Sequence, residues 1–415
     1  TLFQSLVAQL STVSASASAE ASVLLHICAG VSPILARVLA MFVATLPAPI
    51  ITIFISSFPV IATKVSKCAE KAQKTSRFLK KICYFCHMKE EVSVTLITKA
   101  SDLPGIICDD FFQSVELFKI LEATPKQKPY MALATDGQGH IVAHLLAVVS
   151  YHHLLLPPFT YSHCHIYGEG VYAPEVENKE AIFSLFVRAI TAELTHKLCL
   201  FIEISDLSSK MFGYGKLREN GFFPIQWQKI HNSLHSKHPY ERLPQKLRDK
   251  IAVAEQRGVK VETIKPDGKE LQQAVKLMRH YFRLKPRRTV RSCKLFENLA
   301  TSKHCKIFAT KYRNRIIGTC VCFFFGGNAY MWQLASRRKS FMMLYPATYT
   351  VWSALKYAHE HGYAHMYFLD AGLPFKRNPM REFILNFGGK QVSEYRWFRI
   401  QFPWVGRLMD WFYNE

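Results

Sequence analysis

With 415 residues, 49% of them apolar and 20% charged, the chain has material for two domains, and an intrinsically disordered polypeptide is excluded. A net charge of +22 points to anionic partners: nucleic acid, acidic lipid or a phosphate-bearing cosubstrate. The 11 cysteines are odd in number and scattered, with Cys199, Cys320 and Cys322 inside apolar strands. That excludes a complete disulfide framework and fits the reduced, buried thiols of a cytoplasmic protein.

Residue 1 is Thr, as expected for a processed chain, a fragment or an incomplete gene product. Val23–Thr63 is apolar, with His26 and Arg37 as its basic side chains and no acidic ones. Its length allows one long span or a tight hairpin, although Pro33, Pro47, Pro49 and Pro59 interrupt it. Lys64–Lys81 follows with seven Lys or Arg against Glu70, a flank the positive-inside rule places in the cytoplasm. Met88 then opens a domain-like sequence, so residues 1–87 are either a membrane anchor acting through 23–63 or an upstream extension. Cys83-Tyr-Phe-Cys86-His87 matches a haem-attachment pattern, but it stands alone and no haem is expected.

From Met88 the pattern is regular. Val92–Thr98 reads as a strand and Asp109–Ala123 as an amphipathic helix. Tyr130–Thr135 and Ile141–His152 flank an Asp136-Gly-Gln-Gly139 hairpin turn. Ser162–Val171 is a strand, Lys179–His196 a helix, Leu198–Ser205 a buried strand, Ser209–Asn220 a helix stopped by Gly221, and Phe222–Leu234 a strand. After a connector comes a basic helix, Gln245–Arg257, then strand Val259–Ile264 and helices Lys269–Leu284 and Cys293–Thr301. Lys306–Tyr312 and Ile316–Phe325 form a second hairpin, and Ala329–Ala335 a strand. Helix Pro346–His361 starts on Pro and ends at Gly362. Strand Tyr363–Asp370, a Gly/Pro loop, a helix from Pro379 to Gly388-Gly389 and strand Gln391–Ile400 close the chain.

After each hairpin the order is the same: strand, helix, strand, helix, glycine stop, strand. The expected fold is therefore α/β with a mixed sheet. It comprises an N-terminal hydrophobic and basic segment (1–87), a first unit (88–235), a basic linker helix (236–258) and a second unit (259–415).

This tandem order, closing on FLDAGLPFKRNPMREFILNFGG, resembles the Fem-type aminoacyl and peptidyl transferases, built from two Gcn5-related N-acetyltransferase (GNAT) units. The segments 240–262 and 334–372 resemble the family's linker helix and second-unit core. The resemblance covers Met88 to about Phe402. It implies transfer of an acyl group, acetyl or aminoacyl, from acyl-CoA or aminoacyl-tRNA to the amine of a small molecule or peptide. Two departures stand out. Neither half carries the Gly-rich loop Q/R-x-x-G-x-G/A whose amides bind the pyrophosphate of acetyl-CoA. Ile384 also stands where the family commonly has a Lys.

Acyl transfer to an amine needs a neutral amine, a stabilised carbonyl oxygen and a proton route. Asp370, at a strand end, is the expected contact for the amine, with Tyr345 and Tyr395 as donors to the leaving group. Lys376, Arg377, Arg381, Arg337 and Arg338 are the expected anion contacts, and Glu169 lies between two glycines where a ligand can approach. The cations after strand Tyr363–Asp370 make the second unit the expected bearer of the cleft. His163 and His165 share a strand face, but no further ligand is spaced to join them and no metal is expected. Arg283–Lys294 is a dense basic run, read as a solvated loop or a contact to RNA or anionic headgroups. The alternative function is a catalytically inactive GNAT-like module binding anionic lipid or nucleic acid; a membrane surface is a further expected partner.

Overall fold

A computed structural model describes residues 92–407, apart from 155–158, 196, 198, 236, 267, 284–289, 338–339, 370, 376 and 403–404. Residues 89–281 and 290–415 form one compact unit, to which the description below applies. The expectations for residues 1–87, and those for Asp370, Lys376 and Arg338, lie outside the described residues.

The first run comprises β1 (Ser93–Ile97), α1 (Val115–Glu122), β2 (Gln127–Thr135), β3 (Ile141–Leu154), β4 (Phe159–Tyr167), β5 (Val171–Tyr172), α2 (Lys179–Thr195), β6 (Cys199–Ser205), α3 (Tyr214–Glu219) and β7 (Phe223–Ser233). The second comprises α4 (Gln245–Gln256), β8 (Lys260–Thr263), α5 (Lys269–Phe282), α6 (Cys293–Thr301), β9 (Cys305–Tyr312), β10 (Arg315–Phe325), β11 (Asn328–Ser336), α7 (Pro346–Glu360), β12 (His365–Phe368), α8 (Pro379–Leu385) and β13 (Lys390–Ile400).

Local chemistry explains most boundaries. Asp136 accepts from the amides of Gln138 (3.0 Å) and His140 (2.8 Å), which closes the first hairpin. α7 begins with Pro346 and buries Val351, Trp352, Ala354, Leu355 and Ala358 along one side. α1 starts at Val115 and not at Asp109, because the Ser114 hydroxyl caps the Leu117 amide at 3.0 Å. The expected strand 162–171 breaks at Gly168 and Gly170, both at positive φ, and Val171–Tyr172 pairs separately with β3. Strand 363–370 shrinks to four residues, since the Tyr363 amide bonds back to Ala358 and closes α7. The helix expected over 209–220 is likewise only Tyr214–Glu219.

At Gly170 φ is +93°, and a Cβ would sit 2.5 Å from the His144 carbonyl oxygen. Gly170→Ala is therefore expected to lower stability by more than about 1 kcal/mol, measurable by urea denaturation.

The strands join one mixed sheet in the order β1-β2-β3-β4-β6-β13-β7-β12-β11-β10-β9-β8. Its pairs are antiparallel except β4 with β6 and β11 with β12. The repeat is visible here, but the last strand of each run lies beside the other run. β13 inserts between β6 and β7, with Trp397 opposite Ile204 and Lys390 opposite His231. β7 in turn pairs with β12, Phe368 facing Ile230. Packing follows the exchange. Trp397, from β13, joins the first core with Phe183 and Phe186, while Ile230, from β7, joins the second with Trp352 and Phe387. Among the described residues no helix is long and apolar enough to cross a membrane.

Candidate active site

Opposed residues on neighbouring strands share a face, and the register collects a group of polar side chains at the exchange. His165 pairs with Glu203 and Tyr167 with Ser205, Glu203 with Phe398, Glu394 with Trp227 and Val392 with Lys229, and Tyr330 with Tyr367. Alternation then puts His165, Tyr167, Glu203, Ser205, Lys229, Glu394, Arg396, Tyr330 and Tyr367 on one face.

β6 and β12 stop at Ser205 and Phe368, short of the middle of β7 and β13. The gap holds a cavity of about 200 Å³ lined by Asp110, Phe112, Tyr167, Gly168, Asp206, Lys229, Phe325, Tyr330, Tyr367 and Leu369. Its wall is aromatic. Phe112 stacks on Tyr167 (centroids 4.8 Å apart), Phe325 on Tyr330 (4.5 Å), and Tyr330 on Tyr367 (5.4 Å). Phe112 meets Phe325 edge-on at 5.1 Å, joining the two stacks.

Asp110 enters on a single 3-10 turn, Phe111–Gln113. The turn is anchored by buried Phe111, stacked on Phe323 at 5.4 Å. Gln113 adds a bond to the Tyr167 carbonyl and accepts the Leu146 amide at 2.7 Å. The Asp110 carboxylate accepts the Phe112 amide at 2.8 Å. Burial pushes its carboxyl up to about 6, the nearby Glu169 and Asp206 add to the shift, and the Phe112 bond opposes it.

Asp206 sits in a left-handed conformation just after β6. Lys229 Nζ lies 3.4 Å from Asp206 Oδ1 and 2.9 Å from Glu394 Oε2. Burial opposes the Lys229 charge, but Asp206 and Glu394 outweigh it and hold the ammonium above its usual range. Burial and then Asp206 push the Glu394 carboxyl up, against the pull of Lys229 and Arg396. The string continues through Ser205, whose hydroxyl donates to Asp206 Oδ2 at 3.1 Å and lies 2.9 Å from His165 Nε2. Burial, with Arg396 nearby, lowers His165 to about 3, so it is a neutral hydrogen-bonding group at physiological pH. Arg396 pairs with Glu203 at 3.1 Å and donates to the Leu369 carbonyl at 2.6 Å.

Of the described residues expected from sequence, Glu169 lies closest in the chain to this cavity, beside its wall residue Gly168. Its carboxylate accepts the Ser208 amide at 2.7 Å. Tyr345 is the left-handed cap of α7, with Lys250 Nζ 5.5 Å from its ring centroid. Tyr395 packs against the first core, under Lys210. Arg381 is buried and donates to the carbonyls of Ala371, Leu373 and Pro374. Arg377 is exposed and pairs with Glu382 at 3.1 Å, and the Arg337 side chain bonds the Ile316 carbonyl at 3.4 Å. The structure does not gather these side chains at one point, and the cavity draws on both runs instead of the second alone. Arg291, from the basic run, is turned inward, bonding Gln127 (2.7 Å) and Ser150. His163 bonds His152 at 2.9 Å, and among the described residues no group of three or more His, Cys, Asp or Glu is arranged to hold a metal.

A pyrophosphate cradle needs glycines with amides turned outward. In the first run Gly170 is required for the close approach to His144, and an acidic residue, Glu169, stands between the two glycines in sequence. In the second run the amides of Arg337, Leu344 and Tyr345 bond the carbonyls of Ile317, Phe341 and Met342. Neither described loop fits the acetyl-CoA pattern.

Residues 242–377 match the acetyltransferase (GNAT) domain family. Among solved structures the chain is similar to FemX, with 14% identity and a TM-score of 0.52 over 72% of this chain and 94% of that one. It is also similar to a tandem GNAT protein from the clavulanic acid biosynthesis pathway, with 11% identity and a TM-score of 0.50 over 75% and 99%. L-PGS from Bacillus licheniformis aligns at 10% identity and a TM-score of 0.47 over 71% and 92%. No curated protein matches the sequence. The chain thus has a tandem GNAT fold like that of FemX, and residues 242–377 of it match the acetyltransferase family.

Proposed function

We propose that the chain transfers an acyl group, acetyl or aminoacyl, from acyl-CoA or aminoacyl-tRNA to a primary amine held in the central cavity, with Asp110 as general base. One observation carries this reading: a strongly basic protein, +22 overall, has at its centre an aromatic cavity that also presents two carboxylates, Asp110 and Asp206. Such a lining attracts an ammonium group through its carboxylates and its ring faces. A carboxyl titrating at about 6 accepts a proton readily near neutral pH. Asp110 takes one proton from the bound ammonium and frees its lone pair, the amine nitrogen attacks the donor carbonyl carbon, the bond from that carbon to the leaving sulfur or ribose oxygen breaks, and the second nitrogen proton goes to the leaving atom. Tyr330 lines the same cavity, and burial raises its phenol so that it stays protonated. In this reading it relays the second amine proton, giving its own phenolic proton to the leaving atom and regaining one from the nitrogen.

The donor's phosphates fall to Arg337, Arg338, Lys376 and Arg377 in this reading, with Tyr345, Tyr395, Asp370, Arg381 and Glu169 as further contacts. Units 88–235 and 259–415, joined by 236–258, are its two halves, working in the cytoplasm with or without anchoring through 23–63.

The reaction is tested by its pH dependence. The rate of amide formation is expected to rise with pH and level off above about 6, the value at which Asp110 ionises. Asp110→Asn is expected to remove that inflection. The same group acts on stability with the opposite sense. Its carboxyl rises from 3.8 unfolded to about 6 folded, so its stabilising contribution is complete below 3.8 and is lost as pH rises through about 6. Urea midpoints across that range for the wild type and Asp110→Asn check the sign.

A further inference from the structure

We infer that Lys229 is a positioning residue for Asp110: by engaging the carboxylates of Asp206 and Glu394, it leaves Asp110 as the cavity carboxylate open to an incoming amine. The inference rests on the reading of Asp110 as the base and adds to it what selects Asp110 among three carboxylates.

Both oxygens of Asp206 are engaged, Oδ1 by Lys229 at 3.4 Å and Oδ2 by the Ser205 hydroxyl at 3.1 Å. Glu394 Oε2 lies 2.9 Å from the same ammonium, while Arg396, two residues along β13, is directed to Glu203 and the Leu369 carbonyl. The Lys229 ammonium also lies 5.5 Å from the ring centroid of Tyr367, another cavity wall. Asp110 has the Phe112 amide as its hydrogen-bond donor and no ion-pair partner among the described residues. A cation entering the cavity therefore meets one carboxylate whose charge is uncommitted.

The arrangement needs the exchanged strands. Lys229 is on β7, Glu394 on β13, and Asp206 follows β6. The titratable groups around Asp110 are Tyr167 on β4, Glu169 after it, Asp206, Lys229, Glu394, Tyr330 on β11, Tyr367 on β12, and Cys108 and Asp109 in its own segment. Arg396 shares this face but is directed to Glu203, so Lys229 is the cation among the residues that line the cavity, and its removal leaves a surplus of negative charge there. Like charges hold a proton on a carboxyl more tightly.

The test is ¹³C NMR titration of the aspartate side-chain carboxyls in the full-length protein, with the Asp110 signal assigned by its loss in Asp110→Asn. Lys229→Met is expected to move the Asp110 titration to higher pH, by about one unit. Lys229→Arg should restore most of the wild-type value. Glu394→Gln is expected to move it the other way, because it removes a negative charge and frees the ammonium for Asp206. If Lys229→Met does not fold, the direction of the Glu394→Gln shift decides. An Asp110 titration that stays at the wild-type value in every folded variant overturns the inference. These readouts need no acyl donor, so a shift as described with no acyl transfer would sink the proposed reaction and leave the role of Lys229 intact.

Discussion

Asp110→Asn is expected to reduce amide formation by about 10²–10⁴-fold, the usual contribution of a positioned general base, while leaving the fold in place. The substitution keeps the side chain's size, and an amide oxygen can still accept the Phe112 amide that now bonds the carboxylate at 2.8 Å. It removes the one feature the proposed chemistry requires, a site that takes a proton near pH 6. The buried anchors Phe111 and Gln113 are untouched, as is the Ser114 cap of α1. The loss should therefore fall on turnover, with urea stability changed only by the titration sense described above. Measuring both on the same preparation separates a missing base from a damaged site.

Trp397→Ala is expected to cost about 3–5 kcal/mol of unfolding free energy, the range for deleting a buried aromatic side chain. Trp397 is 0% exposed, sits in the first core with Phe183, Phe186 and Ile204, and meets the Tyr214 ring edge-on at 5.1 Å. It belongs to β13, the strand the second run lends to the first. The cavity left by truncation would lie in the first core although the residue comes from the end of the chain. Val392, also on β13 but 41% exposed, provides a control: Val392→Ala should stay within about 0.5 kcal/mol. If Trp397→Ala costs no more than this control, β13 does not bind the two runs together as the register indicates.

How much of this was readable beforehand depended on the range of the interaction. The Asp136 turn, the Pro346 start and Gly362 end of α7, the hairpins and the repeated order all rest on local chemistry, and each stands in the structure where the sequence places it. The strand exchange was not readable. β7 and β13 have equivalent positions in the two runs, and periodicity carries no information about which copy a strand will pair with. The cavity was hidden for a related reason. Its lining comes from at least six separated segments, and Lys229, Tyr330 and Tyr367 read as ordinary strand residues when taken one at a time.

Asp110 was nearer to being legible. Asp109-Asp110 resembles the acidic first turn of a helix, so the sequence predicts α1 from Asp109, ahead of its observed start at Val115. Ser114, with an amphipathic run beginning just after it, was the available sign that the helix starts later and that Asp110 precedes it. The partners of the cations after β12 were not legible either. Of that group Arg381 donates to loop carbonyls and Arg377 pairs at the surface with Glu382.

The central claim is that this cavity takes an amine to be acylated, and mass spectrometry tests it directly. The full-length protein would be incubated with n-butylamine, an amine small enough for a cavity of about 200 Å³, and separately with acetyl-CoA or a mixture of aminoacyl-tRNAs. The account predicts an N-acylated butylamine with at least one donor, formed faster above pH 6 and lost in Asp110→Asn. Absence of amide product with both donors, in a protein that still binds anionic lipid or nucleic acid, would contradict it and identify a binding module built on the same fold.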